Sequence, residues 1–212
     1  MPRLTEEQDR ARVQSLFDFD FDASHGGLVL GIDEVGRGPV AGPLAAGGVV
    51  FEGATYIKWL NDSKKITEKR RPIVADDIKE KSLFSTVVFV QATEIDELGI
   101  AEALKVAFKQ VIFECENSSI IPSTILVDGN SLDLSDSRVK CIIKGDSNSA
   151  AIAAASVVAK VKRDNLMKEL DKLFPHYEWA SNKGYGTKAH LDAVKNFGLT
   201  EYHRRSFLKK YI

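Results

Sequence analysis

Cysteine, methionine and tryptophan each occur only twice among the 212 residues. Cys115 and Cys141 stand apart in apolar surroundings, without the paired spacing of a metal site, and read as buried thiols of a reducing cytoplasm. Long hydrophobic runs are also missing. The longest, "AAIAAASVVA", is interrupted by Ser156 and lies between Asp146 and Lys160, well short of the roughly 18 apolar residues of a membrane span. No membrane partner is therefore expected. The first residues, "MPRLTEEQDRARVQ", are too acidic for a secretory or transit peptide, so a cytoplasmic location is expected. There is no internal repeat, low-complexity tract or long linker. His25, His176, His190 and His203 are too scattered to read as a metal site.

Charge of one sign is lacking overall but not locally. The formal net charge is −1. From Ser156 to Ile212 there are 12 Lys/Arg and 6 Asp/Glu, a net of +6 that leaves −7 for the remainder. A basic C-terminal half beside an acidic half fits a polyanion ligand, or simply a helical tail with a solvated face.

Hydrophobic patterning gives an α/β chain. "TEEQDRARVQSLF" reads as a short amphipathic helix, followed by a loop that ends in Gly26-Gly27. Residues 1–27 form an N-terminal helical leader, and 28–212 one domain with a helical C-terminal region. "LVLGI", "LAAGGVVF" and "LFSTVVFVQA" read as strands, being short, β-branched and bounded by turn residues. "STILVDGN" and "RVKCIIKGD" are two more, each ending in an acid. Helices are expected from Thr67 over "TEKRRPIVADDIKEK", over "IAEALKVAFKQVIFECE", over the run from Ser147 to Phe174, and over "TKAHLDAVKNFG" with Gly198 as its stop. The order predicts a mixed central sheet of about five strands flanked by helices.

Asp33, Glu34, Asp128 and Asp146 share one pattern. Each follows an apolar, β-branched strand and stands beside glycine or a turn. If the strands beginning near Leu28, Thr124 and Arg138 are parallel neighbours, their C-terminal ends meet, which is where sites form in open sheets. Asp33 and Glu34 then converge only if the strand stops and the chain bends at Gly36 and Gly38. Gathered carboxylates repel, and a divalent cation removes the conflict. The donors are all hard oxygens, so Mg²⁺ or Mn²⁺ fits better than Zn²⁺. Four acids suffice for two metals in phosphodiester cleavage. Ordinary turn-forming acids are the plainer reading of any one of them.

The glycine loop narrows the choice. "GIDEVG" has P-loop spacing, but Arg37-Gly38 stands where Lys-Ser/Thr is required. "GRGPVAG" resembles a dinucleotide fingerprint, yet Pro39 and Pro43 do not open a helix. Glycines bring backbone close to a ligand, and beside a metal pair Arg37 would meet a phosphate. Three readings remain from the residues: a nuclease, a non-catalytic RNA–DNA hybrid binding module, and a nucleotide-binding domain. His203-Arg204-Arg205 reads as structural, Asp164 as a local ion pair with Arg163, and Asp133 and Asp136 as exposed turn residues.

The pieces "GIDEVGRGPVAGP", "LNDSKKIT", "LVDGN", "IIKGD", "IAAASVVAKVKRD", "NKGYGT" and "HRRSF" span Leu28 to Phe207. Together and in this order they resemble bacterial ribonuclease H type 2, ribonuclease HII. The short leader and the Gly-Arg-Gly triplet favour type 2 over type 3. The resemblance implies a ribonuclease H-like fold with Asp33, Glu34, Asp128 and Asp146 as metal-binding catalytic acids. It implies that Gly36, Arg37 and Gly38 recognise the ribonucleotide 2′-hydroxyl and its phosphate, and that Tyr185 stacks on the sugar at the RNA–DNA junction. Lys64 and Lys65 would contact backbone phosphates. The implied activity is hydrolysis of the RNA strand of RNA–DNA hybrids, and nicking 5′ of single ribonucleotides in duplex DNA, leaving 3′-hydroxyl and 5′-phosphate ends. A monomer is expected. The C-terminal "RRSFLKKYI" shows no clear sliding-clamp peptide, which leaves a replication partner undecided.

Overall fold

The computed structural model describes residues 4–130, 132–209 and 211. The first three residues of the leader, and Lys210 and Ile212 of the C-terminal segment, lie outside that range. Helix α1 spans Glu6–Ser24. Thr5 and Gln8 cap it reciprocally, and Glu6, Glu7 and Asp9 complement its positive end. It is longer than the sequence pattern indicates. Val13, Leu16 and Phe17 are buried, and so is Asp20, which extends the docked face into the acidic second half.

Strands β1 (Val29–Val35) and β2 (Leu44–Val50) follow, then helix α2 (Arg71–Lys81) and strand β3 (Phe84–Val90). Helix α2 begins four residues after Thr67, because Thr67 opens a separate turn whose carbonyl accepts from Arg70 and Arg71. Helices α3 (Ala92–Leu98) and α4 (Ile100–Asn117) lead to β4 (Thr124–Asp128) and β5 (Val139–Ile142). The one-turn helix α5 (Gly145–Asn148) precedes the long α6 (Ala150–Leu173). A single 3-10 turn, Pro175–Tyr177, and the short α7 (Trp179–Asn182) lead into α8 (Lys188–Phe197) and α9 (Arg205–Leu208).

The strands form one mixed sheet in the order β3-β2-β1-β4-β5. β1 is antiparallel to β2 and parallel to β4, and β4 is parallel to β5. The expected parallel trio is therefore present. Leu30, Ile32, Ile125 and Val127 on one face pack with Leu104, Phe108 and Val111 of α4. The opposite face lies against α6, and glycines set the spacing. A Cβ at Gly31 would sit 2.1 Å from the Ala151 carbonyl carbon, and one at Gly47 would sit 2.3 Å from the Ala155 oxygen. The small-residue half of α6 is what lets a helix backbone approach a sheet so closely. Ser149 caps its first turn, and the Asp20 Oδ2 of α1 accepts from the Ala151 N–H at 2.9 Å.

A third cluster closes the C-terminal end. Trp179, Tyr177, Met167 and Val194 pack there with Ala41 of the glycine loop. A fully buried side chain of this size contributes about 2–3 kcal/mol. Two local expectations change here. Asp164 pairs with Lys160 at 2.8 Å, one helical turn away, rather than with Arg163. His190 and His203 are not scattered: their Nε2 atoms are 3.1 Å apart in the buried core.

Candidate active site

The sheet register brings the acids to one end. Ile32 is level with Val127, so the next step places Asp33 beside Asp128 at the C-terminal ends of adjacent parallel strands. Asp33 and Glu34 do not follow the end of a strand, as the sequence indicates. Both are inside β1, opposite Gly47 and Ala46 of β2. Alternation then turns Asp33 toward α6 and Glu34 to the other face, and both line the groove at the strand end. Asp146 also departs from the strand-end pattern. Lys144 adopts a left-handed conformation with φ 56°, ending the extended run, and Asp146 sits in α5. The Gly145 N–H donates to Asp128 Oδ1 at 2.7 Å, which ties the two acidic segments together.

Burial and mutual repulsion govern the ionisation of these acids. Burial raises Asp33 well above the usual carboxylate range, and the charges of Glu34, Asp128 and Asp146 raise it further. Burial also raises Glu34, against the pull of Arg37, whose Nη1 lies 3.4 Å away. Asp146 is raised by burial and then by Asp62 and Asp128. Asp62 is a buried fifth carboxylate that the motif reading passed over. Its Oδ1 accepts from the Lys64 N–H at 2.9 Å, fixing the turn that presents both lysines. Burial depresses Lys64, but the fields of Asp62, Asp33, Asp146 and Asp128 outweigh it and hold its ammonium above the usual range. Lys64 thus serves as a counter-ion among the acids. Lys65 Nζ donates to Ser147 Oγ at 2.9 Å, next to Asp146.

The donor chemistry suits a hard divalent cation, since every acidic group offers carboxylate oxygens and the acids outnumber the cations among them. As the side chains stand, no three acidic, histidine or cysteine groups among the described residues form a closed cage.

A groove of about 360 Å³ runs along this end. Asp33, Glu34, Arg37, Lys64, Lys160 and Tyr185 are among the residues lining it, whereas Asp128 and Asp146 are not. Lys160 is a groove cation that the motifs did not single out. Gly36 has φ 97°, and a Cβ there would lie 2.4 Å from Arg163 Nε. A Cβ at Gly38 would lie 3.6 Å from Tyr185 Cε1, so the loop and the tyrosine ring are neighbours. Tyr185 is half exposed, while its carbonyl accepts from His190 Nδ1 at 2.9 Å. The site therefore juxtaposes an acid cluster, cations, a backbone loop and an available aromatic face.

Comparison with known proteins identifies the family. The family model for ribonuclease HII matches residues 30–210. A ribonuclease HII of Clostridium perfringens (strain 13 / Type A) is 43% identical over 99% of this chain and 76% of its own length. One from Rickettsia akari (strain Hartford) is 45% identical over 86% of this chain and 92% of its own length. The crystal structure of ribonuclease H2 from Pyrococcus horikoshii OT3 superposes with a TM-score of 0.72 at 26% identity, covering 87% of this chain and 96% of that one. The sheet order and these likenesses agree: the fold is ribonuclease H-like, and the chain belongs to the ribonuclease HII family of metal-dependent endoribonucleases.

Proposed function

We propose that the acid cluster and the Gly36–Gly38 loop form one cleavage site, which hydrolyses the RNA strand of RNA–DNA hybrids and nicks duplex DNA 5′ of a single ribonucleotide. The observation that carries this reading is the contact between the two parts: Asp33 and Glu34 share a groove with Arg37, Gly38 and Tyr185. Asp33, Glu34, Asp128 and Asp146 would hold two Mg²⁺ or Mn²⁺ ions. Bound divalent cations supply Lewis-acid stabilisation for the attacking water and the departing 3′-oxygen. The products carry 3′-hydroxyl and 5′-phosphate ends, and no side-chain nucleophile is required.

The chain's own residues do the rest. Arg37, with its side chain 60% exposed, meets a phosphate beside the scissile bond. Gly36 and Gly38 bring backbone polar groups within reach of a 2′-hydroxyl, the group that separates RNA from DNA. A site built around a hydroxyl discriminates strongly, because its loss leaves polar groups unpaired. Tyr185 offers its ring to the sugar beyond the ribonucleotide. Lys64 and Lys65 would neutralise backbone phosphates. Residues 28–212 act as one catalytic unit, with helix α1 of the leader bracing α6 from outside the site.

The test is cleavage of an RNA–DNA hybrid in Mg²⁺ or Mn²⁺. The expected result is metal-dependent hydrolysis of the RNA strand by the native chain and none by Asp128→Asn. Equal cleavage by both proteins would remove the acid cluster from the reaction.

A further inference from the structure

Two arginines, Arg163 and Arg204, are 1% and 0% exposed, and neither forms a salt bridge among the described residues. Their guanidinium groups are spent on backbone carbonyls instead. Arg204 donates from Nε to Gly42 at 3.0 Å, from Nη1 to Arg37 at 3.1 Å and from Nη2 to Gly36 at 2.7 Å. Arg163 donates from Nε to Pro43 at 2.9 Å, from Nη1 to Lys183 at 2.9 Å and from Nη2 to Ala41 at 3.3 Å. The Val40 and Ala41 N–H groups donate to Gly184 O at 2.8 and 3.1 Å. The glycine loop and the Tyr185 segment are thus bound into one body around two buried cations. A buried charge is costly unless it is fully hydrogen-bonded, so such a pair needs a further reason to be there.

Peptide planarity supplies the reason. In a trans peptide the C=O and the following N–H point in opposite directions. Arg204 draws the Gly36 and Arg37 carbonyls into the protein, so the Arg37 and Gly38 N–H groups turn away from it. Among the described residues neither N–H has a backbone or side-chain acceptor. The next residue, Pro39, has no N–H to offer. Two successive outward amides backed by fixed positive charge make an anion site. Gly36 permits the turn at φ 97° and leaves room for the Arg163 guanidinium.

We propose that Arg204 is a positioning residue of the ribonucleotide reader: by holding the Gly36 and Arg37 carbonyls inward, it presents the Arg37 and Gly38 amides to the 2′-hydroxyl oxygen of the ribonucleotide and to the phosphodiester beside it. This rests on the cleavage reading above. Arg163 completes the support from the Tyr185 side. The planar fork is essential, because one group must reach three carbonyls at once. A lysine at 204 keeps the charge but lacks the fork.

The test compares Arg204→Lys with the parent chain, both carrying Asp128→Asn so that substrate survives. Affinity is measured in Mg²⁺ for a duplex with one ribonucleotide and for the same duplex in all-deoxy form. The expected result is at least a tenfold fall in the ribonucleotide-to-deoxy preference, with a smaller loss of all-deoxy binding through the shared phosphodiester. A loss of folded protein alone would lower both affinities in proportion and leave the preference intact. That outcome, in a folded variant, overturns the proposal. If Arg204→Lys does not fold, amide NMR of the Asp128→Asn chain decides. The Arg37 and Gly38 amide signals should move on adding the ribonucleotide duplex, and their standing still while Tyr185 responds overturns the proposal. Failure of the native chain to cut any ribonucleotide duplex would instead strike the cleavage reading itself.

Discussion

Acid should expose the buried histidine pair. His190 Nδ1–H donates to the Tyr185 carbonyl, leaving His190 Nε2 to accept from Trp179 Nε1–H at 3.0 Å and from His203. His203 Nδ1 accepts from the Thr200 N–H at 3.0 Å. This pattern needs both rings neutral. Burial, and then the neighbouring His190, lower His203 from the usual 6.5 to about 4. A base depressed in the folded state takes up its proton more readily when unfolded. Its stability contribution is complete above about pH 6.5 and is lost as pH falls toward about 4. Between pH 7 and pH 5 the linkage amounts to about 2 kcal/mol. Asp20 works the other way: burial raises it to about 6, so it gains a proton in the folded chain and adds stability over part of the same range. The net pH profile therefore hides the histidine, and a difference measurement is needed. Urea unfolding of the native chain and of His203→Gln, followed at several pH values, isolates it. The native chain should lose about 2 kcal/mol more than the variant between pH 7 and pH 5. Parallel profiles would refute the neutral network.

Three further outcomes follow from the site. Mg²⁺ or Mn²⁺ should raise the melting temperature by binding the folded state, and Asp33→Asn should shrink the increment; an equal increment would deny a shared metal site. Because Asp33 holds its proton well above the usual range, that increment should also weaken as pH falls, when protons compete for the carboxylate. Gly36→Ala should cost about 1–3 kcal/mol by urea unfolding, because φ is 97° and Arg163 Nε lies 2.4 Å from the added carbon. Tyr185→Ala, at a half-exposed position, should leave stability within about 0.5 kcal/mol while reducing cleavage of a single-ribonucleotide duplex at least tenfold.

The strands and most helices were legible because their signals are local. β1, β2, β3 and β4 are short β-branched runs between turn residues, and α4 buries the face marked by Leu104, Ala107 and Val111. What was hidden depends on distant partners. The second half of α1, "DFDFDAS", has little apolar periodicity; it is helical to Ser24 because Asp20 caps the α6 backbone across the fold. Asp33 and Glu34 stay in strand geometry because Gly47 and Ala46 of β2 pair with them, which no local feature of "GIDEVG" announces. The four acids could be picked out by residue type, yet Asp62 was hidden behind the more conspicuous lysines that follow it. Its signal was the Asx turn that its side chain makes with the Lys64 N–H. Arg204 was legible only as structural. Its three carbonyl partners lie more than 160 residues upstream in the glycine loop, beyond the reach of periodicity.

The central claim is that the acids and the glycine loop act together on a ribonucleotide. Mapping the cut on a DNA duplex with one embedded ribonucleotide tests it most directly, with an all-deoxy duplex of the same sequence alongside and Asp128→Asn as the second protein. The predicted result is a single metal-dependent nick immediately 5′ of the ribonucleotide, a 3′-hydroxyl end, no cut in the all-deoxy duplex and none by the variant. A nick of similar rate in the all-deoxy duplex, or no nick with either Mg²⁺ or Mn²⁺, would contradict it.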